Sequence, residues 1–257
     1  IFVLVQIYYF FYFIRMKIIK LDATDSTNSY LKTLLNKDSV DDLTVVISKH
    51  QKNGRGRNGS IWVNDPSLNL AFSIYKKFEN LSVSNQFYLN IISSISVFEL
   101  LKKYKVQQLT IKWPNDIMTA NKKISGILIE NNFRGSLITH SIIGVGINVN
   151  QAKFKNLPNA TSILNKTGFK NSLDDLANDL IFIFKRNLNN FQSKINTLSS
   201  FYNQSLYRKN IKTEFIDNQE KSIIGEIVSV DEKGILKLKK LDGHYKNFME
   251  NEIKMKI

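Results

Sequence analysis

From Lys17 onward the hydrophobic and polar positions of this chain switch repeatedly between a period of two and a period near 3.6. KIIKL is a short strand, and Asp25 or Ser26 then stands where a helix cap belongs. The helix it would open runs through Leu35, with Tyr30, Leu31, Leu34 and Leu35 on its apolar side. LTVVIS (43–48) and LNLAFSIY (68–75) read as buried strands. Between them lies a polar, glycine-rich stretch that suits neither helix nor core strand. A long helix is expected over 84–104, where Phe87, Ile91, Ile95, Phe98 and Leu101 recur at steps of three and four. LTIKW is a strand stopped at Pro114. KISGILIE and SLITHSIIGVGINV are nearly continuous apolar runs, expected in the middle of a sheet. A second long helix should run from a Ser172 cap to Phe191. After Tyr207 the pattern breaks into four or five short strands with turns at Asp217-Asn218, Asp231–Gly234 and Asp242-Gly243, which predicts a small barrel over 207–257. The division expected is therefore a larger α/β (α+β) domain over 16–206 and the barrel beyond it.

Residues 1–15 stand apart. IFVLVQIYYFFYFI is apolar except for Gln6, yet shorter than the ~20 residues that a membrane-spanning helix needs. It has neither the basic start nor the small-residue cleavage site of a secretory signal. Met16 opens a stretch resembling an ordinary soluble N-terminus. The expectation is that 1–15 is upstream sequence read in frame; a membrane anchor is the alternative.

Composition narrows the chemistry. Of 257 residues 43% are hydrophobic and 23% charged, as in a folded globular chain. With no Cys, disulfides, thiolate nucleophiles and Cys-ligated zinc are excluded, and a reducing, cytoplasmic setting fits. The three His, at 50, 140 and 244, share no metal-ligand spacing, and His140 sits in an apolar strand as a structural residue. The net charge of +14 admits nucleic acid, an anionic surface or an anionic small molecule, but also a plain solvated surface such as Lys233–Lys240.

Two stretches carry candidate chemistry. Gly54-Arg55-Gly56-Arg57-Asn58-Gly59 combines glycines that let backbone approach a ligand with guanidinium forks suited to carboxylate or phosphate. No acidic residue occurs between Asp42 and Asp65, so the segment reads as a flexible anion-binding loop or as an exposed basic loop. Lys112-Trp113-Pro114-Asn115-Asp116, followed by Lys122-Lys123-Ile124-Ser125-Gly126, places Asp116 and Lys123 at strand edges; ordinary hairpin turns are the other reading. Asp25-Ser26-Thr27-Asn28 by itself is a helix cap. No Walker-type phosphate loop or G-x-S-x-G elbow is present, and GVGIN fails the dinucleotide fingerprint. An enzyme with this inventory would work by positioning and electrostatics.

Taken in order, Ser26-Thr27-Asn28, Gln51 before GRGRNG, Trp62, KWPND, KKISGILIE and GVGINV resemble biotin–protein ligase, also called biotin–[acetyl-CoA-carboxylase] ligase. The likeness runs from about Lys17 to the C-terminus. It implies a mixed sheet packed with helices, similar to the class II aminoacyl-tRNA synthetase and biotin synthetase fold, with an SH3-like barrel behind it. It further implies the monofunctional type without an N-terminal DNA-binding domain, and hence no nucleic-acid or membrane partner. The activity implied is condensation of biotin with ATP, accompanied by Mg²⁺, to biotinyl-5′-adenylate, then transfer to one lysine of a biotin carboxyl carrier protein. On that resemblance Lys123, Arg55 and Arg57 would serve the carboxylate and α-phosphate, with Lys123 bridging them. Ser26, Thr27, Asn28 and Gln51 would hold biotin, with Gly54 and Gly56 in the covering loop. Trp62, Asn115 and Asn148 would serve the adenylate, and Asp116 the incoming amine. Asn58 and Ser60 depart from the more basic loops of many relatives. A lipoate ligase shares the fold and the catalytic lysine, and remains the nearest rival. A basic nucleic-acid-binding protein is the reading from a different class. Monomer and homodimer both stay open.

Overall fold

A computed structural model describes residues 16–256 except 38, 64 and 190, so the apolar run 1–15 and the expectation attached to it lie outside the described residues. Seven strands form the main sheet: β1 (Ile18–Leu21), β2 (Val45–Ser48), β3 (Asn69–Ser82), β4 (Leu109–Lys112), β5 (Asp116–Thr119), β6 (Lys122–Arg134) and β7 (Leu137–Asn148). Their order is β1-β2-β3-β7-β6-β5-β4. Only the β1–β2 pair is parallel, because helix α1 (Thr27–Lys37) crosses over between them; every later neighbour is antiparallel. The sheet is therefore mixed, and the two long apolar runs of β6 and β7 sit near its centre.

The pleat of β7 sorts its residues. Ile143, Val145 and Ile147 are buried in the main apolar core, which also holds much of α2 (Phe87–Lys103) and α4 (Leu173–Leu188). Gly144, Gly146 and Asn148 alternate with them and face the other way. The register sets Gly144 beside Ser73 and Leu128, and Gly146 beside Ala71 and Gly126. One patch of the opposite face is thus stripped to small residues. Helix α1 packs next to that patch through Leu31, with Tyr30, Leu34 and Leu35 around it.

Element ends differ in detail from the periodicity. Helix α2 begins at Phe87, because Val83–Asn85 forms a 3₁₀ turn. It is also buried beyond the expected stripe, at Leu89, Ile92, Val97 and Leu100, since it is wedged between the sheet and other helices. Helix α3 (Ile163–Thr167) is a single short turn. Ser172 caps α4 as expected, accepting from the Asp175 amide, but α4 stops at Leu188 and Phe191 lies in a separate 3₁₀ turn.

After helix α5 (Ile195–Gln204) come β8 (Lys212–Asp217), β9 (Ser222–Val230), β10 (Leu236–Lys240), β11 (Tyr245–Phe248) and β12 (Ile253–Met255). They make a five-stranded antiparallel sheet in the order β11-β10-β9-β8-β12, with the turns where Asp and Gly signalled them. Asp231 accepts from the Lys233 and Ile235 amides, and Gly234 takes the left-handed φ of +84°. Gly234 also lies against the Phe87 ring, and its carbonyl accepts from Trp113 Nε1 at 3.0 Å. Phe215, Ile227 and Leu236 belong to the same apolar core as α2 and α4. The small sheet is therefore seated firmly behind the KWPND hairpin.

Candidate functional site

The stripped face of β6 and β7 is the floor of a cavity of about 160 Å³. One side is built at the start of α1, where Ser26, Thr27 and Asn28 are all buried. The first free amide of this helix finds its acceptor outside the helix: Gln51 Oε1 accepts from Thr27 N at 2.8 Å and Thr27 Oγ1 at 3.1 Å. The expected caps do not supply it, and the Asp25 carboxylate instead accepts from Asn53 Nδ2. Ser73, fully buried on β3, places its hydroxyl 2.6 Å from both Thr27 Oγ1 and Asn28 Oδ1. Asn28 Nδ2 donates to Glu130 Oε2 at 2.8 Å. Gly144 beneath it has no room for a Cβ, which would overlap the Asn28 amide. Neutral donors and acceptors on a glycine floor describe a wall suited to an uncharged polar ring system.

The glycine loop is folded back on itself. Gly56 N donates to Ser60 O, Ser60 N to Arg57 O, and Trp62 N to Gly54 O. Asn58 and Gly59 take left-handed φ values of 51° and +75°. A Cβ on Gly54 would overlap the Trp62 carbonyl, so this glycine is required by close approach. The loop holds no acid of its own, yet both arginines are paired with carboxylates from far along the chain. Arg55 Nη2 reaches Glu130 at 2.9 and 3.1 Å, and Arg57 pairs with Glu250, in the segment between β11 and β12. Burial opposes ionisation of Glu130, but hydrogen bonds from Lys32 and Asn28 and the Arg55 charge outweigh it, holding its pKa below the ordinary carboxylate value.

The β4–β5 and β5–β6 hairpins bring Lys112, Asp116 and Lys123 together. Lys123 Nζ lies 2.6 Å from Asp116 Oδ1, and Lys112 Nζ lies 3.8 Å from Asp116 Oδ2. Asn115 Nδ2 donates to Ile127 O at 2.7 Å and fixes the turn. Burial pushes the Lys112 pKa down; Asp116 opposes this, while Lys123 and Lys254 add to it.

The Trp62 indole lies on the glycines of the floor, with its Cζ2 and Nε1 at 2.6 and 2.7 Å from where a Gly146 Cβ would stand. Lys123 Nζ is 5.6 Å from the centre of the indole ring. A second cavity of about 270 Å³ opens beside Trp62, lined by Lys123, Asn148, Phe154, Leu157 and Pro158 among others. Asn148 Nδ2 donates to Thr161 O, whereas Asn148 Oδ1 and Trp62 Nε1 are buried without a partner in the structure. Such a carbonyl oxygen is suited to accept from a ligand amine.

Except for Gly54, which packs behind the loop against the Trp62 carbonyl, the site residues expected from the sequence border one connected region: the neutral wall, the cations with Asp116, and the Trp62–Asn148 slot. Sequence reasoning missed Ser73, Glu130 and Glu250, and gave the GVGIN glycines no role as a floor. Glu130 closes an apolar strand run as its only acid, a signal that could have been read. Nothing local marks Glu250. Among the described residues no cluster of His, Asp or Glu could hold a metal ion, and no helix is long and apolar enough to cross a membrane.

A wall of neutral groups, a cluster of cations around Asp116 and a slot beside Trp62 make up the site, and comparison with known proteins assigns the family. The profile of the Biotin/lipoate A/B protein ligase family matches residues 21–148. The bifunctional ligase/repressor BirA of Salmonella typhimurium is 30% identical over 244 residues, covering 92% of this chain and 73% of that protein. The biotin–[acetyl-CoA-carboxylase] ligase of Mycobacterium tuberculosis is 30% identical over 144 residues, 55% of this chain and 52% of that protein. The biotin protein ligase of Aquifex aeolicus, solved in complex with biotin and ATP, superposes with a TM-score of 0.77 at 26% identity, covering 93% of this chain and 98% of that one. The chain belongs to the biotin/lipoate A/B protein ligase family.

Proposed function

We infer that the protein is a biotin–protein ligase. It condenses biotin with ATP to biotinyl-5′-adenylate and pyrophosphate, then passes biotin to one lysine of a biotin carboxyl carrier domain. The observation that carries this reading is the polarity of the cavity. Its α1 end offers neutral groups from Thr27, Asn28 and Gln51, with Arg55 held beside Asn28 through Glu130, while Arg57 and Lys123 stand towards Asp116. A ureido ring at one end and a carboxylate at the other match that gradient.

In the first half-reaction a carboxylate oxygen attacks the α-phosphorus and pyrophosphate leaves. Two anions must meet, so the cations screen their repulsion and stabilise the charge developing on the phosphate. Lys123 is placed to bridge them, since it already stands between Asp116 and the Trp62 ring. Trp62 would lie against the adenine and Asn148 Oδ1 would accept from its amino group. Mg²⁺ accompanying the triphosphate would supply further positive charge there, beside Arg57 and Lys123. In the second half-reaction Asp116 takes the proton of the attacking lysine amine. The relatives named for biotin support this substrate over lipoate.

Biotin-dependent exchange between ATP and pyrophosphate tests the reading, run beside lipoate and octanoate with Mg²⁺ present. Exchange with biotin alone is expected. Exchange with lipoate in its place would move the chain to the other branch of the family, and exchange with no acid would overturn the activation chemistry.

A further inference from the structure

Asp116 lies on a partition. The Thr27–Lys123 cavity is on one side, and on the other is a cavity of about 610 Å³ between the KWPND hairpin and the C-terminal sheet. Arg57, Ser60, Asn115 and Asp116 border both. The Asp116 side chain is only 15% exposed, and two cations address it from opposite sides. Lys123 comes from β6 at 2.6 Å, and Lys112 comes from β4 at 3.8 Å with its side chain 19% exposed. Lys254 on β12 stands beyond Lys112, and Arg57, paired with Glu250, completes the charged groups around the carboxylate.

This arrangement poses a problem that the proposed activity must solve. Lys123 spends a donor on Asp116 in the resting site, and bridging a carboxylate and a phosphate draws its three N–H groups towards the substrates. When Lys123 turns to the substrates, Asp116 loses its short partner while remaining mostly out of water. A carboxylate released from its short partner in that setting needs another cation to hold its direction. An Asp116 free to swing could not stay aimed at the incoming amine.

We propose that Lys112 is the positioning residue for Asp116. It keeps the carboxylate aimed at the acyl centre after Lys123 has left it, and so serves transfer in preference to activation. This rests on the ligase reading above. In the step it supports, the amine nitrogen forms the amide bond to the acyl carbon. The acyl carbon–oxygen bond to the phosphate breaks with its electron pair staying on AMP, and the surplus proton of the nitrogen passes to an Asp116 oxygen. Lys112 itself exchanges no proton. The mutual dependence fits its setting, because burial works against the Lys112 charge and Asp116 is the group that sustains it.

The test separates the half-reactions in Lys112→Met and Lys112→Arg, using the full chain. Activation is read as biotin-dependent ATP–pyrophosphate exchange. Transfer is read in a single turnover from preformed adenylate, either to a purified biotin carboxyl carrier domain or to hydroxylamine, a nucleophile already unprotonated at neutral pH. In Lys112→Met the ratio of carrier transfer to exchange should fall at least about tenfold, the lower range of general-base assistance. Hydroxylamine capture should keep its wild-type ratio to exchange, and Lys112→Arg should recover most of the loss. An unchanged carrier-to-exchange ratio, or an equal fall with hydroxylamine, would overturn the proposal. Thermal unfolding of the variants guards against misfolding, and Lys112→Gln, which removes the charge but keeps a polar end, takes the place of the Met variant if that is unstable. Absence of exchange in the wild type would overturn the ligase reading itself, and the proposal with it.

Discussion

Replacing Ser73 with Ala removes one oxygen atom from a position with no exposure to solvent, and the surrounding hydrogen bonds set the cost. Thr27 Oγ1 donates to Gln51 Oε1, so the Ser73 proton is shared between Thr27 Oγ1 and Asn28 Oδ1, each 2.6 Å away. Asn28 is 2% exposed and its amide nitrogen is committed to Glu130, so its carbonyl has no route to water once the hydroxyl is gone. A buried acceptor left without its donor costs about 1–3 kcal/mol. The gap left by one oxygen is too small to admit a replacing water. Ser73→Ala should therefore lower the free energy of unfolding by about 1–2 kcal/mol, seen as a lower urea midpoint at unchanged slope. Thr27 and Asn28 would also lose their common anchor. If half of that energy is expressed at the pocket, biotin affinity weakens about two- to fivefold, on the scale of 1.4 kcal/mol per decade. Urea titration and calorimetric titration with biotin measure the two effects. An unchanged midpoint together with biotin affinity within twofold of wild type would refute the claim that Ser73 organises the neutral wall.

Glu250→Gln should release Arg57 for the triphosphate. Since partly exposed ion pairs are worth about 0.2–1 kcal/mol, the KM for MgATP in the exchange assay should fall by up to about fivefold; a rise would show that Glu250 helps binding instead of competing with it. Glu130 has its folded-state pKa depressed below the ordinary 4.5, so its contribution to stability is complete above that value and is lost as pH falls through the folded value. The urea midpoint of wild type should accordingly exceed that of Glu130→Gln at pH 6 and approach it below pH ~4; a constant gap would contradict the charge network. Asp116→Asn should retain biotin-dependent exchange while slowing carrier transfer by about 10²-fold or more, as loss of a general base does. Normal transfer by that variant would remove Asp116 from the second step.

How much of this was legible in the sequence depends on how far apart the interacting residues lie. The elements follow from neighbours within a few positions. The alternation in GVGIN, the Ser172 cap and the Asp–Gly turns of the small sheet all fell where local pattern put them. The site residues stood out in Lys112–Asp116 and Gly54–Gly59 because unusual residue types cluster there. Their order along the chain carried the family likeness. Ser26 stands at the cap position of α1, where its carbonyl accepts from the Tyr30 amide, but the acceptor for the Thr27 amide, Gln51, comes from 24 residues away.

The sequence by itself thus determined the kinds of element, the groups available for chemistry and the family. It did so because backbone periodicity, turn residues and motif spacing are encoded at short range. Only the tertiary structure decided which charges meet. Arg55 finds Glu130 at a separation of 75 residues and Arg57 finds Glu250 at 193, while Ser73 reaches Thr27 and Asn28 at 46 and 45. Such pairs depend on strand order and register. An acid 193 residues away leaves no periodic trace near the arginine it neutralises, so the resting state of the cations emerges only once the sheet has been assembled.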